Sequence, residues 1–152
     1  DDIEEEYFAS PKGTYELHRR QVRPGLDGRR SVGEWGGGHP FDAELCRMPP
    51  GTRNFPLHGH AATWEYYIVL AGAGLYRTED GEERIREGDH IMSPPGEAHQ
   101  LINDGDVDLE FYVIATNPQA DVTTYPESDK RMISPEGLCF EPKAEFYFKG
   151  EE

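Results

Sequence analysis

Three of the six histidines stand at spacings that suit chemistry on one ion. They lie in a stretch, residues 51–103, that reads GTRNFPLHGHAATWEYYIVLAG, then fifteen residues, then GDHIMSPPGEAHQLIN. His58 and His60 are one residue apart. On a strand such residues share a face at roughly 6–7 Å, so two imidazoles there can close on a single ion with bonds of about 2 Å. Glu65 follows five residues later, and His99 comes from a separate strand after Pro94-Pro95-Gly96. Three imidazoles and a carboxylate converging on one point are the ligand set of a borderline divalent metal.

Such a set must be held by strands and turns. WEYYIVLAG, residues 64–72, is the most strand-like run, with Glu65, Tyr67 and Val69 on one face and Tyr66, Ile68 and Leu70 on the other. AELCRMP (43–49) alternates weakly and ends at Pro49-Pro50-Gly51. GLYRT (74–78), a Glu79-Asp80-Gly81 hairpin turn and a polar edge strand EERIRE (82–87) come next. In DVDLEFYVIATN, Val107, Leu109, Phe111 and Val113 take one face and Asp108, Glu110, Tyr112 and Ile114 the other. Apolar residues on both faces predict a strand covered on both sides. No long 3.6-residue periodicity occurs, so little helix is expected.

The spacing of these residues resembles the two motifs of the cupin superfamily. Gly51, His58, His60, Glu65 and Gly72 fill the first, with six residues rather than five between Gly51 and His58. Gly88, Pro94, Gly96, His99 and Asn103 fill the second without departure. The resemblance implies an all-β double-stranded β-helix, a jelly-roll barrel, flanked by extended N- and C-terminal segments. The expected organisation is a tail, a pairing strand and a Gly-rich loop over 1–42, a barrel core over 43–117, and a C-terminal segment over 118–152. It further implies one divalent transition metal per subunit (Fe, Mn, Ni, Zn or Cu) on His58, His60, Glu65 and His99, with Glu65 as the catalytic carboxylate. Open metal positions would take a small-molecule substrate, in a dioxygenase, an isomerase or epimerase, or a lyase. The alternative is a non-catalytic sensor or binding domain for a sugar or organic acid. A homodimer paired through residues 13–23 is expected.

Composition agrees with one small domain of short strands. The chain has 152 residues, 17 of them Gly and 12 Pro. The net charge of −15 repels phosphate backbones, so nucleic-acid partners are not expected. No apolar run is long enough to span a membrane as a helix. Cys46 and Cys139 are read as free thiols, which fits a cytoplasmic location, and no thiol neighbours the four ligands in sequence. No nucleophile elbow accompanies the histidines, so a serine-hydrolase mechanism has no support.

Other segments read as follows. DDIEEE is expected to be a solvated tail, and 13–23 a strand with Tyr15, Leu17 and Arg19 on one face. Residues 24–42, with Gly36-Gly37-Gly38 between Trp35 and His39, read as loop. The clusters DVTTY, RMI, LCF and AEFYF read as short extended segments packed on the barrel. Tyr67, Gln100, Glu110, Tyr112, Arg47 and Arg53 are possible supporting or substrate groups. Asn103 reads as a turn-former, and His18, His39 and His90 as ordinary histidines.

Overall fold

A computed structural model describes residues 3–22, 39–145 and 148–150. The expectations for Arg23, Trp35 and the triple glycine lie outside these residues. All regular elements among the described residues are β-strands, paired antiparallel. One wall is a six-stranded sheet in the order β1 (Glu6–Ala9), β2 (Glu16–Gln21), β3 (Phe41–Met48), β10 (Leu109–Thr116), β5 (Glu65–Ala71), β8 (His90–Ser93). The facing wall has two parts. One is β7 (Gly81–Arg86), β6 (Ala73–Thr78), β9 (His99–Ile102). The other is β13 (Leu138–Phe140), β12 (Lys130–Ser134), β11 (Asp121–Tyr125), β4 (Gly59–His60).

Residues 52–58 stitch these two parts together. Asn54 N donates to Leu101 O, Asn103 N donates to Thr52 O, and His58 and His99 exchange both backbone hydrogen bonds. The result is two antiparallel layers around one core, the jelly roll that the motif spacing implies. The core follows the two-residue period of the strands: Tyr67 and Val69 on β5, Leu109 and Phe111 on β10, and Cys46 and Met48 on β3 all point inward.

Asn103 fastens one end of this core. Its side chain is fully buried, donates through Nδ2 to the carbonyls of Met48 (2.8 Å) and Val107 (2.9 Å), and accepts from Gly105 N (3.0 Å). It thus joins the ends of β3 and β9 to the turn before β10, as a turn-former should. Gly51, Gly72, Gly88 and Gly96, the motif glycines, all adopt the left-handed conformation.

Two expectations need correction. The acidic N-terminus is not all tail. Glu6 opens β1, and Glu5 and Glu6 pair with Arg47 and Arg19. The outer face of β10 is not covered: Tyr112 is 38% and Ile114 37% exposed, because among the described residues no layer packs outside the six-stranded sheet. LCF forms the exposed β13, and the described residues of AEFYF, 144, 145 and 148, lie outside any strand.

Candidate metal centre

The four motif residues come from three places in the fold. His58 and His60 flank Gly59 at the start of β4, Glu65 opens β5 in the opposite sheet, and His99 opens β9. Gly59 allows the approach: a Cβ there would lie 3.1 Å from Glu97 O and 3.2 Å from Ala98 N, in the segment leading to His99. His58, Glu65 and His99 each offer a ligand atom within 4.8 Å of the others. His60 stands just beyond this trio, with Nε2 3.9 Å from Glu65 Oε1 and its ring 5.1 Å from that of His58.

The second nitrogen of each ring is tied down. His58 Nδ1 donates to Pro56 O (2.9 Å), His99 Nδ1 approaches Glu97 O (3.4 Å), and His60 Nδ1 meets Asp121 Oδ2. Carbonyl oxygens only accept, so the ring protons of His58 and His99 sit on Nδ1 and leave the Nε2 lone pairs available. Asp121 is itself held by Ala62 N (2.8 Å) and Thr63 Oγ1 (3.1 Å). Metal-binding histidines are usually oriented in this way. His99 Nε2 and Glu65 Oε2 lie 2.6 Å apart. Two acceptors that close need a proton or a cation to hold them together.

The electrostatics follow from burial and neighbours. Burial, with His99 beside it, pulls His58 down to about 4. Burial also works against charge on His60, but Asp121 and Glu65 outweigh it and raise His60 above its ordinary value. Burial would raise Glu65, yet the close approach of His99 and the neighbouring imidazoles hold it at about 2. Tyr67 donates to Glu65 Oε2 (2.9 Å), and burial together with that carboxylate pushes its phenol well up, so it stays protonated.

A cavity of about 250 Å³ opens beside these residues. Of the six supporting groups expected from the sequence, Tyr67 alone reaches it. Arg47 and Glu110 lie on the outer face of the six-stranded sheet, where Arg47 bonds Asp108 (2.9 Å), and Tyr112 points outward with them. Gln100 faces away from His99 and binds Phe55 O, and Arg53 pairs with Tyr15 and Ile102. His90 is exposed and bonds Tyr66. Both cysteines are free thiols, as expected, but Cys46 does line this cavity, and burial pushes its thiol up.

Sequence reasoning passed over Arg19, Gln21, Glu44, Asp121 and Tyr125 as site residues. Arg19, Glu44 and Tyr125 line the cavity, Asp121 meets the ligand His60, and Gln21 binds Glu44, all from outside the two motifs. One usable signal was present: Asp42, Glu44, Cys46 and Met48 share a strand face whose far end is core, so the two acids had to face the interior.

A small antiparallel jelly roll with a buried His and Glu cluster defines the class. The family model described as the cupin domain matches residues 44–115, and this stretch of the chain is a cupin domain. An oxalate-binding protein of Thermotoga maritima is 34% identical over 68 residues, 45% of this chain and 55% of that one. The match thus spans about half the length of that curated relative. Among solved structures, a putative sugar phosphate isomerase from Acidithiobacillus ferrooxidans superposes with a TM-score of 0.77 at 21% identity, over 95% of this chain and 90% of that one. A sugar phosphate isomerase from Silicibacter pomeroyi gives 0.76 at 22%, over 93% and 89%. At these identities the structural matches establish the fold. No helix among the described residues is long and apolar enough to cross a membrane.

Proposed function

We propose that the protein is a metal-dependent cupin enzyme that binds one divalent transition metal through His58, Glu65 and His99, with His60 as the fourth ligand. The observation that carries this reading is the arrangement of the rings: each Nδ1 is occupied by an oxygen acceptor, and Nε2 of both His60 and His99 is turned toward Glu65. A bound ion would act as a Lewis acid toward a carbonyl or hydroxyl oxygen of a small molecule. The chain's own residues do the rest. Tyr67 orients the Glu65 carboxylate, Asp121 orients His60, and Phe55 and Tyr125 flank His58 and keep water from it. Glu65 is the catalytic carboxylate of this reading, the one acidic side chain among the four ligands.

Elemental analysis after reconstitution tests it. The wild type should hold about one metal per chain, and Glu65→Gln should keep the fold while weakening metal binding at least tenfold. Unchanged metal content and unchanged activity in Glu65→Gln would remove Glu65 from the site. The alternative, a binding domain without turnover, is supported by the name of the oxalate-binding relative. Turnover on a compound panel separates the two.

Metal affinity should also fall with pH. Protons compete for the imidazoles, and His60, raised by Asp121 and Glu65, takes its proton first. The expected decline therefore begins near neutrality, above about 6.5, and steepens below it by about tenfold per pH unit for each ligand protonated. A chelator competition run from pH 8 to pH 5 checks this; a flat profile would contradict it.

A homodimer in the cytoplasm completes the proposal. The stretch 13–23, expected to pair, holds β2, which is enclosed between β1 and β3, so the edge offered to a partner is β1, exposed along its length and carrying Tyr7 and Phe8. Sedimentation should give twice the 17.2 kDa chain mass. A single species of chain mass at micromolar concentration would remove the dimer.

A further inference from the structure

The cavity beside the histidines has two kinds of wall. Phe55, Pro56, Val113, Ala115, Tyr125 and Met132 make it largely apolar. Its charged lining, the proposed metal ligands aside, is Asp42, Glu44 and Arg19. Arg19 is the cation among the described lining residues that could attract an anion, and it is already engaged. Its Nε and Nη2 each lie 3.1 Å from Glu6 Oε2, and its Nη1 lies 3.8 Å from Glu44 Oε1. Beyond a bound metal, an anionic ligand would meet carboxylates and no uncommitted positive side chain among the described residues. The chain's net charge of −15 adds to that repulsion.

Glu44 is the polar group on the wall facing the histidines. Gln21, opposite it in strand register, donates to its Oε1. Among the described residues its Oε2 meets the Cys46 thiol, at 4.0 Å, too long for more than a weak contact. One oxygen of a mostly buried carboxyl thus remains open to a ligand in the cavity. Burial raises the Glu44 carboxyl, and Arg19 and Gln21 offset this only in part. The open oxygen can accept a hydrogen bond from a ligand hydroxyl.

We propose that this cavity takes a small uncharged molecule with adjacent hydroxyl or carbonyl oxygens on one edge and an apolar flank on the other, and that Glu44 hydrogen-bonds it from the wall facing the histidines. The paired oxygens meet the metal and Glu44, and the apolar flank lies against Phe55, Val113 and Met132. Dicarboxylates and phosphate esters of similar size are disfavoured by the acidic lining. The inference rests on the metal-site reading above.

Calorimetric titration of the zinc-reconstituted full chain tests it, with 2-hydroxycyclohexanone as the uncharged probe and oxalate and ribose 5-phosphate as anionic ones. The uncharged probe should bind at least ten times more tightly than either anion. Glu44→Gln, which keeps a hydrogen-bond acceptor at this place, should bind it within about threefold of wild type, and Glu44→Leu at least ten times more weakly. Tighter binding of oxalate or ribose 5-phosphate in the wild type overturns the inference whether or not the variants fold. So does wild-type affinity in Glu44→Leu. Zinc content of the same samples separates the two readings: about one zinc per chain with an anion preferred sinks this inference alone, whereas no zinc in the wild type sinks the metal-site reading and this inference with it.

Discussion

Replacing His58 and His99 together by alanine should empty the metal site and leave a folded barrel. The wild type is expected to hold about one ion per chain after reconstitution, and the double variant less than a tenth of that. Both residues belong to the trio whose ligand atoms lie within 4.8 Å. Glu65 and His60 remain after the change, but one carboxylate and one imidazole do not compete with water and buffer for a transition metal. The fold should persist because these two residues hold each other through backbone hydrogen bonds, at 3.2 and 2.8 Å, which alanine keeps. Losing two buried rings leaves a cavity, so the variant should melt several degrees below the metal-free wild type. Elemental analysis and far-ultraviolet circular dichroism on one sample read both outcomes. Full metal occupancy in the double variant would place the ion elsewhere.

The second large effect is on stability. Gly72→Ala should destabilise the protein by about 4 kcal/mol or more, enough to leave much of the chain unfolded. Two costs coincide. The residue has φ +80°, where a side chain is strained by about 1–2 kcal/mol. A Cβ there would also lie 2.4 Å from the carbonyl oxygen of Asp108, with Leu109 Cα at 3.2 Å, so backbone must move. Gly88→Ala is the control. Its φ is +88°, but its Cβ would meet nothing within 4 Å, so it should cost only the strain, about 1–2 kcal/mol. Urea unfolding of the two variants compares them. Equal losses would show that the approach of Asp108 to Gly72 does not matter.

The same contrast explains what was legible in the sequence. Local spacing carries turns and strand faces. His58, His60, Glu65 and His99 and the motif glycines were readable because each is positioned by a few residues on either side. The inward set of β5 was readable because strand alternation is a local rule, whereas for β10 alternation separated the two faces without telling which turns inward. The bareness of the outer face of β10 was not, because Tyr112 and Ile114 look like packing residues and only tertiary structure shows that no layer covers them. Glu44, Gln21 and Arg19 escaped for a different reason. Acids on a strand read as solvent-facing unless their face is followed to its buried end, and what meets Glu44 there depends on β2 pairing with β3, which puts Gln21 beside Glu44 and Arg19 beside Cys46. Asp121 is 61 residues from the His60 it orients, a separation no motif spans.

That division of labour reaches beyond this chain. The proposed ligands lie inside the stretch 44–115 that matches the family model, but Leu17 and Arg19 on β2, Thr123 and Tyr125 on β11, and Met132 on β12 lie outside it. The middle therefore acts as a socket that carries the ligands and Glu44, and the flanking strands shape the rest of the opening. Two proteins alike only in the middle would share the socket and differ in that outer shape. Grafting residues 3–22 and 118–134 of this chain around another cupin's middle should carry over the Leu17, Arg19, Tyr125 and Met132 part of the cavity wall, without touching an imidazole.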